Sequence, residues 1–161
     1  MSIGGAFILN SDFDSKSKIQ QTQQALLCLL PEWNYQITKP FKQMLPDGVS
    51  IEMYYCLRVL QHLGGSATMT ELGQFTKMPK QQTTKMVNRL YAQNFIIRKT
   101  DFTDRRFIQI QLTDKAIQFL NYILSDNSQC FMELLRKIPD DRLDDFIASI
   151  QTISQILSRS V

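Results

Sequence analysis

The chain has 161 residues, a net charge of +3 at neutral pH and a hydrophobic fraction of 43%. This size corresponds to one domain, or to one domain with a dimerisation element, and the apolar fraction excludes a disordered chain. No apolar run approaches the roughly 18 residues that cross a membrane, and the N-terminus lacks the features of a signal peptide. Three widely separated cysteines argue against a disulfide framework or a zinc site and favour the reducing cytoplasm.

The positive charge is concentrated in the middle of the chain. Residues 77–113 carry eight bases and two acids, a net charge of +6, whereas residues 1–76 carry −1 and residues 114–161 carry −2. A basic segment in an otherwise neutral chain is typical of a protein that binds a polyanion. A solvated surface face would carry the same charges, so this pattern alone leaves both interpretations open.

A helical pattern begins at about residue 15, after a loose arm over residues 1–14. Apolar residues then recur at steps of three, four and seven, which predicts a helix with one apolar stripe. Pro31 lies inside this helix, so we expect a kink or a restart there. The stripe consists of Ile19, Leu26, Leu30, Trp33 and Ile37.

Two helices with clear boundary signals are predicted next. Ser50 can N-cap a helix that ends before Gly64-Gly65, where glycine tolerates the left-handed conformation. The stretch Thr68-Met69-Thr70-Glu71 has the form of a capping box and starts a second, short helix. Pro79 breaks the chain after it and suits the first turn of the following helix.

The helix over about residues 80–93 has two different faces. Its inner face, formed by Thr83, Met86, Val87 and Leu90, is mostly apolar, while its outer face contains amides, a hydroxyl and cations but no acid. Most surface helices are amphipathic, so the missing acids are the more informative feature. The outer residues are Gln81, Gln82, Thr84, Lys85, Asn88 and Arg89.

A β-hairpin is expected directly after that helix and after Asn94, a residue common at helix C-termini. One strand is predicted from Phe95 to about Thr100 and the other from Arg106 to Leu112, with a charged turn between them. Two short helices followed by a basic hairpin are the order of a winged helix-turn-helix. In such a unit the second helix enters the major groove of DNA, and an arginine of the hairpin enters the minor groove.

The ends of the chain predict long helices that a DNA-binding core does not need. Thr113 is expected to N-cap a helix from Asp114 to about Lys137, and Pro139 to open the last helix. A second apolar stripe in the last helix favours a helical dimer interface, with packing inside one subunit as the alternative. This stripe consists of Leu143, Phe146, Ile150, Ile153 and Leu157.

Over about residues 20–158 the chain resembles the MarR family of transcriptional regulators. The resemblance rests on TMTELGQFTKMPKQQTTKMVNRLYAQNFIIRK as helix-turn-helix and first wing strand, and on DRRFIQIQLTDKA as wing and following helix. It implies a single domain of mainly α class with a small β-hairpin. A winged helix-turn-helix at about residues 50–113 would be flanked by dimerisation helices at about residues 15–45 and 114–161. The matching wing positions are Asp104, Arg106, Leu112 and Thr113.

The same resemblance implies a homodimeric repressor that binds palindromic operators in double-stranded DNA. In many members, small phenolic ligands or cysteine oxidation cause release. By position, Arg106 would enter the minor groove, Asp104 would orient the wing arginines, and Arg105 would share the groove or contact phosphate. The outer face of the helix over residues 80–93 would face the major groove. Asn94 and Ala116 depart from the family pattern, which usually has glycine at both positions.

The remaining residue patterns argue against an enzyme. A single histidine, His62, permits neither a histidine-based triad nor a two-histidine metal site, and no phosphate-binding glycine loop is present. We therefore expect no catalytic residues, metal or cofactor.

A pocket for a small aromatic effector is a further expectation, although aromatic residues at helical spacing more often belong to a core. Its candidate residues are Trp33, Tyr35, Tyr54, Tyr55 and Phe119. Cys28 and Cys56 lie among apolar residues, which favours buried and inert thiols, whereas the sequence around Cys130 is less informative. Two alternatives stay open: a winged-helix protein-interaction module without DNA binding, and a regulator that senses cysteine oxidation.

Overall fold

The computed structural model describes residues 17–100, 108–125 and 129–158. The expected class, mainly α with a small β component, is confirmed. No helix in these three ranges combines the length and the apolarity of a membrane crossing. In chain order the elements are α1 (Lys18–Trp33), a π-helical turn (Asn34–Thr38), α2 (Lys39–Met44), α3 (Ile51–His62), β1 (Ser66–Thr68), α4 (Met69–Thr76), α5 (Lys80–Ala92), β2 (Ile96–Thr100), β3 (Ile108–Leu112), α6 (Asp114–Leu124), α7 (Met132–Leu135), a 3-10 turn (Asp140–Arg142) and α8 (Leu143–Ser158).

The sheet contains one strand more than the predicted hairpin. Strand β3 lies in the centre and pairs antiparallel with β2 on one side and with β1 on the other. Ala67 of β1 lies opposite Ile110, and the Leu112 N–H donates to the Gly65 carbonyl at 2.9 Å. Gly65 has a φ of +88°, which lets the chain leave α3 and enter β1 within a few residues. A three-residue strand is too short to show an alternating pattern, so the sequence did not reveal β1.

The main core forms around α3. Met53, Leu57 and Leu60 of this helix are completely buried, and they pack with apolar residues of α4, α5, the sheet and α6. A smaller cluster of Phe41, Leu45 and Ile123 lies beside it and joins α2 to α6. The core therefore supports α5 from beneath and leaves its outer face in solvent.

Three predicted N-caps are confirmed. The hydroxyl groups of Ser50, Thr68 and Thr113 accept backbone N–H groups of α3, α4 and α6. The capping box is complete, because the Glu71 N–H donates to Thr68 Oγ1 at 3.2 Å and the Thr68 N–H donates to Glu71 Oε2 at 2.7 Å. Pro79 is itself the N-cap of α5 and makes no side-chain cap, so its predicted place in the first turn is wrong by one position.

We expect Thr68→Ala to lower the free energy of unfolding by about 1 kcal/mol, because the N-cap hydroxyl is lost. The matched control is Thr70→Ala, an exposed position in the first turn of the same helix. Urea unfolding followed by circular dichroism measures the difference. Equal unfolding curves for the two variants would contradict the role of the cap.

The same capping box makes the stability of the fold depend on pH. Hydrogen bonds from the Thr68 N–H and hydroxyl lower the pKa of Glu71 below its usual value. A carboxyl whose pKa is lower in the folded state stabilises the fold above its unfolded pKa and loses that contribution as pH falls through the folded pKa. The difference in the free energy of unfolding between the wild type and Thr68→Ala should therefore become smaller at acid pH.

The long helix predicted from Asp114 to Lys137 is wrong. Helix α6 ends at Leu124, Ser125 is extended with its hydroxyl donating to the Tyr122 carbonyl at 2.7 Å, and α7 begins only at Met132. The five residues after Leu124 are Ser-Asp-Asn-Ser-Gln, a polar cluster typical of a loop, so the break had a sequence signal that the helix prediction did not use. Serine competes for backbone carbonyls, and this favours its place at the end of the helix.

The irregularity of the N-terminal helix is not at Pro31. That residue lies inside α1, and the hydrogen-bond pattern changes afterwards, in the π-helical turn, where the Lys39 N–H donates to the Asn34 carbonyl. Pro40 follows immediately. A proline clashes with the carbonyl four residues before it, here Gln36, and a widened turn relieves that clash. The helical path therefore continues through Pro40 to Met44, in agreement with the expected helical segment of about residues 15–45.

Helices α1 and α8 bury none of their own residues. Ile19 and Leu30 of α1 are 72% and 63% exposed, and Leu157 of α8 is 69% exposed. The predicted stripes are therefore present as uncovered apolar faces on both terminal helices. Ile37, Leu143 and Phe146 are half-buried, so packing inside one subunit, the alternative considered above, covers only part of each stripe.

Candidate nucleic-acid interface

Helices α4 and α5 form a tight helix-turn-helix. Lys77 provides the turn with a φ of +55°, a left-handed conformation that is uncommon for a residue with a side chain. Gly73 permits the close approach of the two helices, since a Cβ there would lie 3.2 Å from Thr83 Oγ1. The buried Thr83 hydroxyl donates to the Pro79 carbonyl at 3.2 Å. These contacts fix the direction of α5 relative to α4.

The two faces predicted for α5 are observed. Its inner residues Thr83, Met86, Val87 and Leu90 are buried. Each outer residue is exposed, and the sequence of the helix, KQQTTKMVNRLYA, contains no acid. These outer residues are Gln81, Gln82, Thr84, Lys85, Asn88 and Arg89.

One flank of this outer face lies near an acid of α3. The pKa of Glu52 is lowered, mainly by the Ser50 hydroxyl and a backbone N–H, with smaller contributions from Lys42 and Arg89. Arg89 therefore lies close enough to Glu52 to interact with its carboxylate. Lys85 lies one turn before Arg89 and is exposed.

The opposite flank carries an arginine that the sequence did not identify as a site residue. Arg98 of β2 donates from Nη2 to Asn88 Oδ1, and its guanidinium lies 5.0 Å from the ring centroid of Tyr91. Asn88 and Tyr91 are three residues apart and thus neighbours on the helix surface. The pairing of a strand residue with one helical turn carries no local sequence signal, so only the fold reveals it.

The C-terminus of α5 is held at two points. Gln93 Nε2 donates to the Gly48 carbonyl at 2.7 Å, and Lys115 Nζ donates to the Gln93 carbonyl at 2.8 Å while lying 4.7 Å above the Phe95 ring. Asn94 follows with a φ of +59°, as expected of asparagine in place of glycine. A lysine at the end of a helix also complements its dipole.

The predicted hairpin is confirmed by its pairing, in which Arg98 lies opposite Ile110 and Thr100 opposite Ile108. Asp104, Arg105 and Arg106 lie outside the described residues. Their assignment to the wing stays a prediction from the sequence.

A cavity of about 260 Å³ lies apart from this face, between the N-terminal helical segment and α3 and α6. Three of the five expected pocket residues, Trp33, Tyr54 and Tyr55, line it. Tyr35 and Phe119 do not, because the Tyr35 ring carries the Lys39 ammonium at 5.8 Å and Phe119 packs on Phe95. The complete lining is Trp33, Ile37, Thr38, Phe41, Met44, Ile51, Tyr54, Tyr55, Ile123, Leu124, Cys130 and Phe131.

The wall of the cavity is aromatic and uncharged. The rings of Tyr54 and Phe41 meet edge to face, with their centroids 4.7 Å apart. Burial raises the pKa of the Tyr54 hydroxyl. None of the lining residues in the described ranges is Asp, Glu, Lys, Arg or His. The polar side chains of the lining are Thr38, Tyr54, Tyr55 and Cys130.

Residues 47–106 match the model of the MarR family, and this range covers α3 to β2. The winged helix of this chain is therefore similar to that of MarR-family regulators. The HTH-type transcriptional regulator MhqR of Bacillus subtilis is 25% identical over 103 residues, which are 64% of this chain and 70% of that protein.

Solved structures share the fold of this chain. An organohalide-sensing transcriptional regulator bound to 2,4-dichlorophenol has a TM-score of 0.65 at 17% identity, over 94% of this chain and 90% of the other. BpsR of Bordetella bronchiseptica, described with the regulation of its DNA binding by 6-hydroxynicotinic acid, has a TM-score of 0.61 at 16% identity. That match covers 81% of this chain and 98% of BpsR.

The three cysteines of the chain occupy different environments. Cys28 is exposed, so the expectation of burial is wrong: its leucine neighbours form a surface that this subunit leaves uncovered. Cys56 is buried in the core as expected, and burial raises the pKa of its thiol to about 11. Cys130 is half-buried in the cavity wall.

We expect a thiol reagent at pH 8 to modify Cys28 rapidly and Cys56 only after unfolding. A thiol with a pKa of about 11 is almost entirely protonated at that pH, and the thiolate is the reactive form. Cys28 lies two residues after Leu26 and thus on the other side of α1 from the stripe, so pairing through the stripe leaves it accessible. Peptide mass spectrometry measures both rates, with Cys28→Ser as the control. Equal rates at the two thiols in folded protein would contradict this assignment.

Proposed function

We propose that this MarR-family chain is a homodimeric repressor that binds a palindromic operator in double-stranded DNA and is released by a small aromatic ligand. The observation that carries the proposal is the exposed, acid-free outer face of α5, which the core and two bonds at its C-terminus hold in place. MhqR, a relative, is a transcriptional regulator.

In this proposal α5 enters the major groove, which admits one α-helix. The amides of Gln81 and Gln82 would contact base edges, while Lys85 and Arg89 would contact phosphates. Arg106 would enter the minor groove with Asp104 orienting the wing arginines, as the resemblance implies. Phosphate contacts position the protein, and base contacts supply its sequence preference.

The dimer would form through α1 and α8. Both helices expose apolar stripes near the ends of the chain, and a second copy would cover them. Two-fold symmetry then places two copies of α5 on half-sites about one helical turn apart, or a multiple of it. This geometry accounts for a palindromic operator.

Selection from a random pool of duplexes tests the proposal. We expect enrichment of an inverted repeat, and a binding constant whose logarithm falls linearly with the logarithm of salt concentration in fluorescence anisotropy. The alternative of a winged-helix interaction module predicts no enriched palindrome and a protein partner in affinity purification. Failure to enrich any duplex would contradict the proposed function.

The cavity is the proposed effector site. Its volume of about 260 Å³ and its aromatic wall fit a molecule with one substituted ring. The hydroxyl groups of Thr38, Tyr54 and Tyr55 would bond to a phenolic oxygen. An aromatic carboxylate would find no cation in the described wall, and burying an unpaired charge is costly.

We therefore expect a neutral chlorophenol to bind at least about 10-fold more tightly than a chlorobenzoate of equal size, since one unpaired charge costs more than about 1.4 kcal/mol. Trp33 is the single tryptophan of the chain and lines the cavity, so its fluorescence reports binding directly. Ile51→Phe should fill the cavity and abolish the signal change. Ile117→Phe, an exposed position outside the cavity wall, is the matched control. Tighter binding of the benzoate would contradict this selectivity.

A further inference from the structure

The two flanks of the outer face of α5 differ in how they acquire positive charge. At 100° per residue, Gln82 and Arg89 lie on one flank and Thr84 and Tyr91 on the other. The second flank has Lys80 in its first turn but no cation of its own in its C-terminal half. Arg98, contributed by β2, occupies that half.

Two contacts and its exposure to solvent define the environment of Arg98. Its guanidinium donates to Asn88 Oδ1, it lies over the Tyr91 ring at 5.0 Å, and its side chain is exposed. No carboxylate among the described residues forms an ion pair with it. An arginine that is held by an amide and a ring keeps its full charge. Its remaining N–H groups can donate to another acceptor.

This arrangement also limits what Asn88 can do. An asparagine that reads adenine uses its carbonyl oxygen and its amino group together as a bidentate pair. In this structure the Asn88 carbonyl oxygen already accepts from Arg98. Asn88 therefore has one of its two acceptor lone pairs occupied and its side chain held by Arg98, although it lies on the outer face where the sequence predicts a DNA contact.

We propose that Arg98 is a DNA-phosphate contact of the proposed operator-binding surface and that Asn88 and Tyr91 act as its positioning residues. With α5 in the major groove, Arg89 faces the phosphates on one side of the groove and Arg98 those on the other. The recognition helix thus obtains its second phosphate contact from the sheet. Because phosphates are the same in every sequence, Arg98 contributes affinity but no sequence preference.

The test uses the full-length protein, its selected operator and a scrambled duplex of equal length, and it rests on the proposed function. Arg98→Gln removes the charge but keeps a donor for Asn88. In a dimer two contacts are lost, so the slope of log affinity against log salt should fall by about 1.8. Affinity should fall by the same factor, about 10-fold, on both duplexes. Arg136→Gln removes the same charge from an exposed arginine at the end of α7, outside the winged helix, and should leave the slope unchanged.

Asn88→Ala separates positioning from base reading. We expect it to weaken binding in the wild-type background and to add nothing in the Arg98→Gln background, because the two residues act through one contact. Arg98→Lys keeps the charge and should restore the salt slope. An unchanged slope in Arg98→Gln would overturn the proposal, as would an Asn88→Ala effect that persists without Arg98 or changes the selected sequence.

Two further outcomes are distinguishable. If wild-type protein binds no duplex, the proposed function itself fails. If wild-type protein binds and Arg98→Gln loses thermal stability with an unchanged salt slope, Arg98 is a structural residue and only this inference fails. Thermal unfolding of each variant, measured beside the titrations, separates these cases.

Discussion

Replacing Lys85 and Arg89 with alanine together is expected to weaken operator binding about 100-fold. A dimer loses four cations from its outer faces, and four contacts of ~0.7 kcal/mol each correspond to two orders of magnitude. The slope of log affinity against log salt should fall by about 3.6, since each lost phosphate contact removes about 0.9. Anisotropy titrations at several salt concentrations measure both quantities.

The fold should survive this change because both side chains are exposed. Loss of Arg89 also removes a favourable charge near Glu52, an effect that we expect to be small at an exposed site. The matched control, Lys39→Ala with Arg136→Ala, removes the same charge from exposed positions outside the winged helix. If this control weakened binding equally, net charge rather than the outer face of α5 would be responsible.

Ile153→Glu in α8 is expected to convert the dimer into monomers and to lower operator affinity by at least about 100-fold. Ile153 lies in the apolar stripe and is 39% exposed in one subunit. A carboxylate there would be buried unpaired in each half of a symmetric interface, which is costly. The affinity loss follows because two linked binding modules bind more tightly than one, by a factor of roughly 10² to 10⁴.

Thr152→Glu provides the matched control for this helix. It adds the same charge one residue earlier, on the opposite side of α8 from the stripe. We expect this variant to stay dimeric in sedimentation velocity and to bind the operator normally. A monomeric Thr152→Glu or a dimeric Ile153→Glu would contradict the assignment of the interface to the stripe.

The features predicted correctly are those whose physical cause lies within a few neighbouring residues. The caps at Ser50 and Thr68 depend on hydrogen bonds across three positions, so their residue types identify them. The inner and outer faces of α5 follow from the helical period in the same way. Asn94 is a third case, because one residue type at a helix end indicates its backbone conformation.

The features that were missed depend on contacts between distant segments. Strand β1 exists because β3 pairs with it. The break after Leu124 is different, because the polar residues 125–129 were a local signal that the helix prediction did not use. Burial of Cys28 was predicted from its leucine neighbours, but whether such neighbours are covered depends on the fold and on the oligomer. Arg98 meets Asn88 only after the sheet folds beside α5.

If the uncovered faces of α1 and α8 pair as proposed, operator occupancy would depend on the subunit concentration in the cell. Below the concentration at which subunits pair, the amount of dimer rises with the square of the subunit concentration. Halving the subunit concentration then lowers the dimer concentration about fourfold. Operator binding by the proposed repressor would therefore rise steeply with its own concentration. Regulation of its synthesis would then change the expression of its target genes, as binding of an effector would.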